Sequence, residues 1–199
     1  GNDNTKNIGI NSYIDHVREN DYREVNIDTE FWESYLKDAP KVGPFLPNYL
    51  LGEDQKSYAA LESISIDEEQ FKEVEDFAAS KNISLFTCML SIWTLMVKLA
   101  FGKSKQLVLT PVDCRTKELD KYTIGCFLNT ALLHINLEKL TSIGGVLACV
   151  NKSLAAALNH KGDSVSSVLK NLNPNTDGIG DISNHVMFVM QHQLIPNIK

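Results

Sequence analysis

Seventeen consecutive residues, Leu85 to Phe101 (LFTCMLSIWTLMVKLAF), carry a single charge, Lys98. Such a run must either cross a bilayer or form the central helix of a packed core. Crossing takes about 20 apolar residues, and this run is shorter and broken by Thr87, Ser91 and Thr94. It reads as a core helix, capped by Ser84 and stopped by Gly102. The composition supports a core of that kind, with 43% hydrophobic and 22% charged residues in a chain of 199. A chain this long buries roughly 70% of its unfolded surface, so one domain needs no staples.

Periodicity arranges the other elements around that helix. Asp28 or Thr29 caps a helix with Phe31, Trp32, Tyr35 and Leu36 on one stripe, and Pro40, Gly43, Pro44 and Pro47 then enforce an extended loop. Ser57 to Ile66 alternates as a half-buried strand does. Asp67 starts a helix whose buried face is Phe71, Val74, Phe77 and Ala78. Gln106–Val112 and Phe127–Leu137 read as strands, the second with Phe127, Asn129, Ala131, Leu133, Ile135 and Leu137 on one face. Thr141 or Ser142 caps a helix reaching Leu158 and closed by Gly162, and Asp163 caps a shorter one through Leu172. His185–Gln193 is the last strand. The fold class implied is α/β: a two-layer sandwich of a mixed β-sheet with helices on one face.

Charge and cysteine usage exclude several functions. The net charge of −6 disfavours nucleic acid and anionic membranes as partners. Cys88, Cys114, Cys126 and Cys149 form no C-x-x-C pair, so they read as reduced, mostly buried side chains. His16, His134, His160, His185 and His192 show no metal-ligand spacing, and no metal site is expected. His134 reads as a satisfied sheet residue, and His160 as a helix-end residue. The polar start has no apolar leader: residues 1–12 are read as an unstructured or artificial lead, 13–199 as the folded unit, and the chain as cytoplasmic. No nucleophile elbow, P-loop or dinucleotide fingerprint occurs. The residues alone specify an α/β domain without a self-contained catalytic set.

A resemblance goes further. Ile124-Gly125-Cys126-Phe127-Leu128-Asn129-Thr130 closely resembles the I-G-x-F-V-N-T motif of condensation domains in nonribosomal peptide synthetases. Thr110-Pro111-Val112-Asp113-Cys114-Arg115 is similar to that family's T-P-V-x-x-R strand end. Asp181-Ile182-Ser183-Asn184 before Val186-Met187-Phe188 resembles its R-D-x-S-R-N-P-L segment and following strand, with Gly180 in place of the first Arg. Tyr13-Ile14-Asp15 resembles its Y-x-D motif, and Phe31-Trp32 with Tyr35-Leu36 its aromatic helix. Asn159-His160-Lys161 is a degraded form of its H-Q motif.

The resemblance implies the carboxy-terminal, chloramphenicol acetyltransferase-like half of such a domain, incomplete at both ends. It implies no catalytic residue in this chain, because His-His-x-x-x-Asp-Gly is absent from it and belongs to the other lobe. Arg115 would pair with the Asp of that motif, and Asn129, Ser183 and Asn184 would line the tunnel between lobes or hold loops. No cofactor is implied for this chain, since substrates ride on phosphopantetheine arms of carrier proteins. The implied partners are the amino-terminal lobe, peptidyl carrier domains and an adjacent adenylation domain, with self-association of the lone lobe. The implied activity is amide formation between carrier-bound thioesters, in peptide antibiotic or siderophore biosynthesis. A heterocyclisation lobe and a non-catalytic carrier-docking module are the alternatives.

Overall fold

The computed structural model describes residues 13–19, 27–40, 61–115, 123–172 and 185–191. The elements are α1 (Tyr13–Glu19), α2 (Thr29–Leu36), α3 (Glu68–Ser80), α4 (Leu85–Phe101), β1 (Lys105–Asp113), β2 (Leu128–Asn136), α5 (Ile143–Asn159), α6 (Val165–Leu172) and β3 (Val186–Met187). Local chemistry sets most helix starts. Asp28, Asp67, Ser84 and Ser142 each accept a hydrogen bond from the backbone N–H three residues on. Gly102 ends α4 at φ 67°, a left-handed conformation in which its N–H reaches the Lys98 carbonyl.

The sheet is mixed, in the order β2-β1-β3. β1 and β2 run antiparallel from Lys105↔Asn136 to Asp113↔Leu128, and β3 runs parallel to β1 at Val108↔Val186 and Leu109↔Met187. Of the strand expected over His185–Gln193, the described part therefore forms only Val186–Met187, and residues 192–193 lie outside the described ones. Phe188 donates its N–H to the Leu109 carbonyl. Backbone groups of a strand alternate between its two sides, so the next β1 donor on that side would be Pro111, which has no N–H. The ladder stops there.

Helices cover both faces of the sheet rather than one. Val108, Val112, Ala131, Leu133 and Ile135 pack with Leu90 of α4 and Val146, Val150 and Ala157 of α5. Leu107, Leu109 and Leu132 pack on the opposite side with Trp32 and Leu36 of α2 and Val165, Val168 and Leu169 of α6. Strands apolar on both faces need two covers. Each large aliphatic buried this way contributes roughly 1.5–3 kcal/mol.

The strand expected over Ser57–Ile66 does not form in its described part. Residues 61–66 have no regular structure, and Leu61, Ile64 and Ile66 are exposed; residues 57–60 lie outside the described ones. No further strand adds at β2, whose outer edge is taken by side chains. Tyr35 Oη accepts the His134 N–H at 2.9 Å, Ser153 Oγ donates to the His134 carbonyl at 2.8 Å, and Cys149 Sγ donates to Asn136 O at 3.4 Å. His134 is thus a sheet residue held by its neighbours, with Nδ1 2.8 Å from the Tyr35 carbonyl.

Two helices differ in detail from expectation. In α3 only Ala78 is buried, and Phe77 is exposed, because that helix meets the rest mainly through α4. Ser164, not Asp163, precedes α6, and the Asp163 carboxylate instead accepts the Trp32 indole N–H at 2.7 Å. Helix α4 is a core helix, as its composition predicts. Thr87, Ser91 and Thr94 face inward, while Ile92, Met96, Leu99 and Phe101 face out. The buried hydroxyls bond within their own helix, Ser91 Oγ to Thr87 O and Thr94 Oγ1 to Ser91 O. Among the described residues no single helix is long and apolar enough to cross a membrane.

Candidate functional site

The motif residues meet where β1 ends and β2 begins. Pairing runs one step past the strands, with the Cys114 N–H donating to the Phe127 carbonyl at 2.8 Å. That step lays Arg115 beside Phe127, its guanidinium carbon 4.3 Å from the ring centroid. The Asp113 carboxylate accepts from the Arg115 N–H at 2.9 Å and from Nη1 at 3.3 Å. An ion pair this exposed is worth about 1 kcal/mol or less. The ring contact and the hydrogen bond from its backbone N–H also set where Arg115 sits.

Tyr13 clamps the motif from α1. Its hydroxyl donates to the Cys126 carbonyl at 2.8 Å, and its ring meets Phe127 edge-on at 5.4 Å. A Cβ on Gly125 would fall on the Tyr13 ring, so glycine is needed there for close approach. Phe127 is buried, whereas Ile124 is 96% and Leu128 66% exposed.

Asn129 ties the strand to the turn after α5. Its Nδ2 donates to Lys161 O at 2.8 Å and Asp163 O at 3.0 Å, and its Oδ1 accepts the Thr130 N–H at 2.8 Å. Cys114 Sγ also donates to Lys161 O, and Lys161 Nζ returns to the Asp113 carbonyl at 2.8 Å. The same turn carries Asp163 to Trp32, and His160 stacks on Phe31 with centroids 3.7 Å apart. Burial pushes the Cys114 thiol above its ordinary range, with Lys161 opposing, so it is not a ready nucleophile at neutral pH.

These groups surround a cavity of about 270 Å³ lined by Tyr13, Cys114, Cys126, Phe127, Asn129 and Gly162 among others. Arg115, Ile124, Gly125, Phe127, Asn129 and Thr130 are thus brought to one end of the sheet. Ser183 and Asn184 lie outside the described residues. Sequence reasoning did not foresee the Lys161–Asp163 turn or Cys114 as cavity walls. Their signal is weak, since the turn acts largely through the Lys161 and Asp163 carbonyls, which any residue supplies, and Cys114 through a backbone N–H and a single thiol. Among the described residues no three His, Cys, Asp or Glu side chains converge as metal ligands would. Asn129 and Tyr13 spend their donors on the protein's own carbonyls, so what the arrangement does chemically is to fix the walls of the cavity.

A family model described as the condensation domain matches residues 2–196. Malpinin synthetase of Mortierella alpina is 24% identical over 151 residues, which is 76% of this chain and 2% of that protein. Among solved structures, the first condensation domain of the CDA synthetase superposes with a TM-score of 0.71 at 14% identity, over 92% of this chain and 40% of that one. A four-domain nonribosomal peptide synthetase bound to AMP and glycine gives 0.71 at 19% identity, over 82% and 12%. VibH, a condensation enzyme of nonribosomal peptide synthesis, gives 0.63 at 16% identity, over 84% and 39%. The chain thus spans well under half the length of each of these proteins.

Proposed function

The chain belongs to the condensation-domain family of nonribosomal peptide synthetases, and from that premise we propose that it supplies one wall of an amide-forming cleft. The observation that carries this reading is the clamped motif: Tyr13 over Gly125, Phe127 under Arg115, and Asn129 holding the Lys161–Asp163 turn. These contacts fix a rigid, partly cationic rim around the cavity. Beside it, Ile124 and Leu128 present apolar side chains to solvent, as a surface does when another piece of protein is meant to cover it.

In this reading an amine on one phosphopantetheine arm attacks a thioester on another, and the amide forms as the thiol leaves. The imidazole handling the amine proton belongs to a His-His-x-x-x-Asp-Gly segment, a motif these 199 residues do not contain. This chain's contribution is placement. Asn129 and Tyr13 set the cavity shape, and Arg115 stiffens the facing loop by a bidentate pair with that motif's carboxylate. Holding two reactants in line accounts for most of the rate gain expected here. Carrier domains, an adenylation domain and the other lobe are the proposed partners. The outward Ile92, Met96 and Leu99 of α4 support self-association of the chain when it stands alone.

The test uses the synthetase that carries this chain, with loaded carrier proteins. Arg115→Ala should lower condensation at least tenfold while the urea midpoint stays nearly constant, and the 199-residue chain by itself should give no amide. Undiminished turnover in the variant, or turnover by the lone chain, would overturn the assignment.

A further inference from the structure

We infer that an apolar hollow beside this site is a side-chain subsite, taking the branched aliphatic or aryl side chain of a thioester-borne acyl group. The inference deepens the amide-forming reading above and rests on it. The hollow measures about 220 Å³ and is bounded by Phe86, Thr110, Pro111, Val112, Leu154 and Leu158. Thr110 is the single hydroxyl among these walls, and none of them is charged.

Size narrows the occupant. Pockets for whole ligands run roughly 300–1,000 Å³, so this one takes a fragment. An apolar cavity of about 150 Å³ admits benzene, so a leucine- to phenylalanine-sized group fits. A charged side chain would lose its hydration with no partner in return.

Position ties the hollow to the site. Thr110, Val112 and Cys114 alternate along β1 and so share one face, with a spacing of about 6.6 Å per two residues. Along the other wall, Leu154 and Leu158 lie one helical turn apart in α5, and Gly162 follows in the turn beyond. The site cavity is lined by Cys114 and Gly162, and the hollow by Val112 and Leu158. The two cavities therefore follow one another along both walls, the first carrying amide, hydroxyl and thiol groups among its walls and the second a single hydroxyl. A ligand laid across the site cavity reaches the apolar hollow with a single side chain.

Two measurements test this. The methyl-labelled 199-residue chain is titrated with leucyl- and glycyl-N-acetylcysteamine thioesters. Val112, Leu154 and Leu158 methyl signals should move with the leucyl probe and stay within error with the glycyl one. Equal responses, or shifts confined to the α2–α6 side of the sheet, overturn the subsite. In the synthetase, Leu158→Trp should cut the ratio of leucyl to glycyl kcat/KM about tenfold or more, the range one buried side chain discriminates. Leu158→Ala should shift preference toward aryl groups. Leu158 is 41% exposed, so both substitutions leave the core intact. If the ratio is unmoved by either variant, the subsite is wrong while the amide-forming role stands. If the parent synthetase makes no amide with any substrate, that role is wrong, and the titration still decides whether the hollow binds apolar groups.

Discussion

Replacing Asn129 by Ala removes three hydrogen bonds at once: to Lys161 O, to Asp163 O and from the Thr130 N–H. Each nets about 1 kcal/mol, and a half-buried group left without a partner costs more. Lys161 O keeps its contact from Cys114 Sγ, so it is not wholly orphaned. The expected loss is therefore about 2–3 kcal/mol in total. For a chain of this size that corresponds to a fall in Tm of roughly 5–10 °C. Urea unfolding followed by tryptophan fluorescence reads it directly, because the Trp32 indole N–H bonds to Asp163 on the same turn. A change below about 0.5 kcal/mol, the size of an ordinary surface substitution, would refute the claim that this amide holds the turn. Asn129→Asp separates donor from shape. A carboxylate facing two carbonyl oxygens has its folded pKa raised above the usual value of about 3.9. Its destabilisation should thus be greatest at neutral pH and shrink as pH falls through the folded pKa.

Further outcomes follow from the same contacts. Gly125→Ala should displace the Tyr13 ring and expose Phe127, seen as loss of Tyr13–Phe127 ring NOEs; an unchanged ring pair would refute the close-approach argument. Burial raises the Cys88, Cys114 and Tyr35 pKa values above 9.0, 9.0 and 10.0, so the unfolded chain sheds those protons first. Stability should then fall as pH climbs above about 9, and a flat urea midpoint from pH 8 to 10.5 would contradict it. Cys126 is exposed and Cys88 buried, so a disulfide reagent should modify Cys126 rapidly and Cys88 only on unfolding; mass mapping of labelled peptides decides this. Leu99→Glu, at a side chain 76% exposed on α4, should lower self-association in light scattering without shifting the unfolding midpoint; an unchanged particle size would remove α4 from that interface.

Local signals in the chain were sufficient for the existence of the helices and of the two long strands. Caps such as Asp67 and Ser84, the stop at Gly102, and the spacing of apolar positions act within a few residues of one another, so they can be read without a fold. The condensation-domain motifs were likewise legible, because they are short and contiguous. Even the two-faced burial of the sheet is written in Leu107-Val108-Leu109 and Leu132-Leu133, runs apolar on both sides, although the order of elements by itself suggests one cover.

Other features depend on partners far along the chain. The period-2 pattern before Asp67 promises a strand, but a strand exists only where it pairs with an edge, and residues 61–66 pair with none, while Tyr35, Ser153 and Cys149 close that of β2. The hydrophobic run of α4 does not say which side faces in; packing placed the small Thr87, Ser91 and Thr94 inward and left Met96 and Leu99 outside. The site itself is made by contacts between residues 113, 34 and 131 positions apart: Tyr13 with Cys126, Asn129 with Asp163, and Trp32 with Asp163. Sequence determines which groups are available and which segments coil or extend. Only the packed chain decides which of them meet, because the hydrogen bonds and ring contacts that shape the cavity form after distant segments have been brought within a few ångströms.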